Sequence, residues 1–127
     1  MFMINYFENK FLTTPPDDIM KLCRLFHLDE KLDLRPTHLD TEDMRLAIII
    51  REICKNPDIM LIDRPKEFLG TKSFDTFKSV LRGLADTGTT LIFHALDEDF
   101  IKEFATREIL IEDGKIVEGA DGGVLCN

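Results

Sequence analysis

Cysteine is scarce in this chain, and its three copies exclude a good deal. Cys23, Cys54 and Cys126 are odd in number, far apart and in no Cys-x-x-Cys pair, which speaks against a disulfide framework and against a zinc site. Reduced thiols in a cytoplasmic protein are the expectation. No apolar run approaches the ~18 residues of a membrane-crossing helix, and the opening Met-Phe-Met-Ile-Asn-Tyr-Phe has neither a basic leader nor a small-residue cleavage site. Direct membrane insertion is therefore not expected. Basic residues are outnumbered, 16 against 24 acids, for a net charge of -8. That balance argues against nucleic acid or an anionic lipid surface as the main partner, since both are polyanions. A basic protein partner stays compatible with it. Tryptophan is absent and tyrosine occurs once beside ten Phe, and there is no internal repeat or low-complexity segment.

What is present suits a globular domain. The 127 residues are one domain long, enough to bury about two-thirds of the unfolded surface. Hydrophobic residues make up 44% and charged residues 31%, a mixture that builds a core and stays soluble.

The chain is organised around Asn-Pro-Asp-Ile-Met-Leu-Ile-Asp-Arg-Pro, Asn56 to Pro65. Pro57 stops a preceding helix, and the unbroken Ile59, Met60, Leu61 and Ile62 read as a strand covered on both faces, as in parallel sheets. Asp63 then falls at the carboxyl end of that strand, where open α/β sheets present ligand-binding side chains.

Residues 1–12 show no clear period and fit either a short strand or a segment lying on a helix. Pro15, Pro16, Asp17 and Asp18 signal a helix start, and Ile19, Leu22, Cys23 and Phe26 form one apolar stripe up to His27. A second helix, capped by Asp40 or Thr41 and running to about Lys55, has apolar positions on more than one stripe, including Ile48, and reads as central and heavily covered. Phe74, Phe77, Val80, Leu81 and Leu84 mark a third helix, with Gly88 placed to end it. Thr89 to Phe93 reads as the next buried strand, parallel to the first, and a short helix follows from about Glu98 to Ala105. Asp113-Gly114 between two apolar runs is a strong hairpin signal.

The order of these pieces resembles the ATP-binding-cassette (ABC) ATPase family. The resemblance rests on Leu39-Asp40-Thr41-Glu42, a helix carrying Arg45, Asn56-Pro57-Asp58, the apolar strand, Asp63-Arg64-Pro65, Thr90-Leu91-Ile92-Phe93 and the run Ile109 to Val117. It covers the C-terminal half of such a domain. It implies an α/β, truncated P-loop NTPase-like, three-layer fold with a small, mainly parallel sheet and an N-terminal helical segment. The implied division is a helical subdomain remnant at 1–39, an α/β core at 40–118 and a flexible tail at 119–127.

Against the family pattern, five parts of the ATP machine are missing or replaced. The phosphate cradle, Gly-x-x-x-x-Gly-Lys followed by Ser or Thr, does not occur in these residues. Gly70-Thr71-Lys72-Ser73 is a decoy, lacking the Gly before Lys, and reads as a helix start capped by Thr71 or Ser73. Where the family has Asp-Glu, this chain has Asp63-Arg64, and a guanidinium cannot accept a proton from water at physiological pH. Such a loss of a general base costs on the order of 100- to 10,000-fold in rate. The plainer reading of the pair is a strand end without a ligand. Leu96 stands where the family's switch His should be, while His94 lies two positions early, as a functional side chain or simply a strand-end His. Asp40 and Thr41 replace the signature glycines, with Glu42 and Arg45 still matching, and Phe68-Leu69-Gly70 lacks the acid of the family's cross-dimer turn.

The residues thus separate scaffold from chemistry. Three functions stay open at this point. One is a non-catalytic interaction or regulatory module, with a protein partner such as an ABC ATPase or transporter subunit, or a second copy of itself, and no cofactor or metal. Another is half of a split ATPase completed by a separate chain bearing the phosphate loop, with ATP and Mg at a composite site. The last is a remnant without selected activity. The family's phosphate-loop strand would lie beside Thr89 to Phe93. The expected repair of that gap is internal, either by the Asp113-Gly114 hairpin pairing directly with this strand or by Phe2 to Phe7 taking its place, with an open edge left for association.

Overall fold

A computed structural model describes residues 16–67 and 69–117. Helix α1 is Pro16–Leu25, with Asp17 and Asp18 in its first turn, where the helix dipole favours acids. Ile19, Cys23 and Phe26 are buried along one side, as their spacing predicts. His27 ends the helix in the left-handed region, at φ 57, and lets the Leu28 amide donate to the Cys23 carbonyl at 2.8 Å. Leu28 is thereby turned inward and fully buried.

Two short 3-10 turns, Asp29–Lys31 and Pro36–His38, lead to helix α2, Thr41–Ile53. The Asp40 carboxylate caps it by accepting from the Asp43 amide at 2.8 Å. Leu46, Ala47, Ile50 and Ile53 are buried, but Ile48 is 43% exposed. Only Thr41 and Ile48 of its thirteen residues are exposed, so the helix is heavily covered, as its apolar positions predict. Asn56, at φ 49, turns the chain out of it and into β1, Ile59–Asp63.

Helix α3 is Thr71–Asp86 and buries Phe74, Phe77 and Leu81. Its N-cap is Gly70, with no side-chain cap, so neither Thr71 nor Ser73 plays the part the sequence suggests. Gly88, at φ 102, reverses the chain into β2, Thr90–His94. Strands β1 and β2 pair in parallel, in a register that sets Asp63 opposite His94. Helix α4, Glu98–Phe104, is capped by the Asp97 side chain and brings Phe100 against Phe93 and Phe74, with ring centroids 4.8 and 5.5 Å apart.

The sheet departs from the sequence reading in one respect. Met60 and Leu91 are buried, but Ile59, Leu61 and Ile92 on the other face are 59%, 74% and 53% exposed. An unbroken apolar run marks strands suited to burial on both faces, yet among the described residues the helices pack on one face only. The last strands, β3 Leu110–Glu112 and β4 Lys115–Val117, form an antiparallel hairpin through Asp113 and Gly114, both with positive φ as a two-residue turn requires.

That hairpin pairs with itself and not with β2, so the expected direct repair does not form. Its backbone bonds are made locally, and among the described residues no strand pairs with the outer edge of β2. The alternative filler, Phe2 to Phe7, and the tail from 119 lie outside the described residues.

Candidate functional site

The carboxyl ends of β1 and β2 bring three of the singled-out residues together. Because the strands run parallel and end in register, the side chains of Asp63 and His94 project side by side, with His94 Nδ1 2.9 Å from Asp63 Oδ1. Arg64, the next residue, has φ 45, a left-handed conformation uncommon for any residue but glycine. Its amide donates to the His94 carbonyl at 2.8 Å, and its Nε lies 3.2 Å from Glu67 Oε2 and 3.6 Å from Asp63 Oδ1. Arg45, from α2, donates through Nη2 to the Asp63 carbonyl at 3.2 Å. The hydrogen bond from His94, with the charges of Arg64 and Arg45 behind it, holds the Asp63 carboxyl below the usual carboxylate range.

Glu42 stands apart from this cluster. From the first turn of α2 its Oε1 accepts the Gly70 amide at 3.1 Å, tying the start of α3 to that of α2. A Cβ at Gly70 would meet the same carboxylate at 3.5 Å, an ordinary van der Waals contact, so the bond does not depend on glycine there. Leu96 is an aliphatic side chain in the loop after β2 and is 79% exposed. It lines a cavity of about 250 Å3 with Arg64, Pro65, Lys66, Asp97 and Phe100, where Lys66 and Asp97 are ion-paired.

The sequence reading did not anticipate the Asp63 to His94 contact or the Glu42 to Gly70 bond. A signal for the first was there. Each residue closes a run of four strand-forming residues, and two parallel strands of equal length set their last residues opposite one another. The second had none, because it depends on how two helix starts meet.

Chemically, the cluster is a solvated network of two carboxylates, Asp63 and Glu67, the His94 imidazole and the guanidinium groups of Arg64 and Arg45. Among the described residues there is no group of three or more His, Cys, Asp or Glu arranged to hold a metal ion. No helix there is long and apolar enough to cross a membrane.

Comparisons with known proteins place the fold. No family model matches the chain. The arginine transport ATP-binding protein ArtM of Bacillus subtilis is 31% identical over 102 residues, which is 80% of this chain and 41% of that protein. The glutamine transport ATP-binding protein GlnQ of the same organism is 28% identical over 115 residues, 87% of this chain and 48% of its own length. A probable amino-acid ABC transporter ATP-binding protein of Haemophilus influenzae is 35% identical over 99 residues, 78% of this chain and 38% of that protein. Among solved structures, MJ1267, an ATP-binding cassette of an ABC transporter, superposes with a TM-score of 0.64 at 19% identity, covering 93% of this chain and 47% of that one. The chain spans less than half the length of these relatives. It is a homologue of ABC transporter ATP-binding proteins, matching about half of such a protein and carrying the motif order of its C-terminal half.

Proposed function

We propose that these residues form a non-catalytic ABC-ATPase-like module of the cytoplasm that binds or regulates another protein, an ABC ATPase or a transporter subunit. The observation that carries this reading is the placement of Arg64. Where the family's water-activating carboxylate would stand, a guanidinium lies between Asp63 and Glu67 and is ion-paired with both. It accepts no proton, and its charge opposes a cation beside Asp63. The residues present do not fit a magnesium nucleotide, because the Asp63 carboxylate is already engaged by His94 and Arg64. No hydrolytic step is derived through one. We also propose the division into a helical part at 1–39, an α/β core at 40–118 and a tail at 119–127.

A second reading, half of a split ATPase unit completed by another chain, is favoured by the bare sheet face. Ile59, Leu61 and Ile92 together offer an apolar surface of the kind a complementing domain covers. The non-catalytic reading is tested by ATP hydrolysis with magnesium in the purified 127-residue chain. No turnover above a blank is expected, and none is expected on Arg64→Glu, since a base without an oriented phosphate has nothing to act on. A turnover that disappears in Asp63→Ala overturns the non-catalytic reading.

A further inference from the structure

We infer that Asp113 is a site of backbone modification, converting spontaneously to isoaspartate through a cyclic imide formed with Gly114. The tip of the β3–β4 hairpin carries the elements of that reaction. Asp113 and Gly114 are both exposed, and among the described residues the Asp113 carboxylate has no ion-pair or hydrogen-bond partner. The Gly114 amide enters no backbone hydrogen bond there, because the turn is closed by Glu112 and Lys115 on either side of it. Nothing lies within 4 Å of where a Cβ on Gly114 would stand, so the approach to its nitrogen is open.

The turn also supplies half of the ring geometry. Asp113 has φ 48 and Gly114 φ 73, the two-residue turn with both central residues left-handed. In the other two-residue turn the first central residue keeps its positive φ while its ψ swings to about −120°, the angle that eclipses the next nitrogen with Cβ. Reaching it takes a flip of the Asp113–Gly114 peptide plane with Glu112 and Lys115 still paired. Gly114 tolerates the change in φ, and its amide has no bond to break. The Gly114 nitrogen then attacks Cγ of the protonated Asp113 carboxyl. An N–Cγ bond forms, and the carboxyl hydroxyl leaves as water with the amide proton. Water returns at the Asp113 main-chain carbonyl, the C–N bond there breaks, and the chain continues through Cγ with the α-carboxyl free. Return at Cγ instead regenerates aspartate. No oxidant or further reactant is needed, and the product has the mass of the parent. Its additional backbone methylene means that a two-residue turn no longer joins Glu112 to Lys115.

The test ages the purified 127-residue chain for weeks in mildly acidic buffer and maps its tryptic peptide Glu108 to Lys115. The expected result is a second species of equal mass that elutes separately and gives isoaspartate fragments under electron-transfer dissociation. An isoaspartate-specific O-methyltransferase should move a methyl group from S-adenosylmethionine to its free α-carboxyl. The species should form in the folded chain at no less than about one-tenth of the rate in guanidinium-unfolded chain, since a flip that breaks no bond adds little to the barrier. Asp113→Glu, which would need a six-membered ring, should give none. Asp113→Asn, which reaches the same imide by losing ammonia instead of water, should form isoaspartate faster than the parent. No isoaspartate at Asp113, a folded-chain rate below that tenth, a signal that persists in Asp113→Glu, or no acceleration in Asp113→Asn overturns the inference. These outcomes do not involve ATP and stand apart from the non-catalytic reading.

Discussion

His94 Nδ1 and Asp63 Oδ1 are 2.9 Å apart across the paired ends of β1 and β2, and the register of five residue pairs puts them there. The contact joins the last residues of two strands whose other bonds are main-chain bonds. It holds the Asp63 carboxyl below its usual range, and a carboxylate depressed in the folded state stabilises the fold above its unfolded value of about 3.9. That contribution is lost as pH falls through the lower, folded value. Asp63→Asn should therefore melt below the parent at pH 7, by a small margin because the pair is exposed, and the gap should close in acid. A gap that stays constant down to pH about 2 contradicts the linkage.

The one-sided sheet makes adjacent residues of β1 behave oppositely. Met60 is 7% exposed and Leu61 is 74% exposed. Met60→Ala should cost about 2 to 5 kcal/mol in urea denaturation. Leu61→Ala should fall within about 0.5 kcal/mol of the parent, as exposed substitutions do. Similar losses for both would mean that the second face is covered in solution.

Asp40→Ala removes the cap that accepts the Asp43 amide and should lower stability by about 0.5 to 2 kcal/mol. Asp40→Ser, which keeps an acceptor oxygen, should recover most of it. An alanine variant as stable as the parent would show that the bond does not contribute.

Cys23 and Cys54 are both fully buried, and burial pushes the Cys23 thiol up to about 11. In a Cys126→Ser background, a disulfide reagent at pH 8 should modify neither until the chain unfolds. Rapid labelling of a folded sample would show that the α1 to α2 contact opens readily.

Much of this fold is legible in the sequence, and the limits have physical causes. The stripe of Phe74, Phe77 and Leu81 and the Asp113-Gly114 turn are local signals, governed by a period of 3.6 and by backbone conformation, and both are found where expected. Ile59, Leu61 and Ile92 mislead because an apolar run states what a strand face prefers, not whether anything packs on it. Among candidate site residues, Asp63, Arg64 and His94 converge because two strands end in register, a tertiary relation whose trace in the sequence is that Asp63 and His94 each close a run of four strand-forming residues. Glu42 matches a family motif in the sequence, and in the fold it accepts the Gly70 amide.

Titration of the purified chain with a fluorescent ATP analogue, with and without magnesium, tests the central claim most directly. A non-catalytic module whose Asp63 is engaged by His94 and Arg64 should give no saturable signal at millimolar analogue, and magnesium should not alter its melting temperature, since a ligand preferring the folded state must raise it. Saturable, magnesium-dependent binding that is lost in Asp63→Ala would contradict the account.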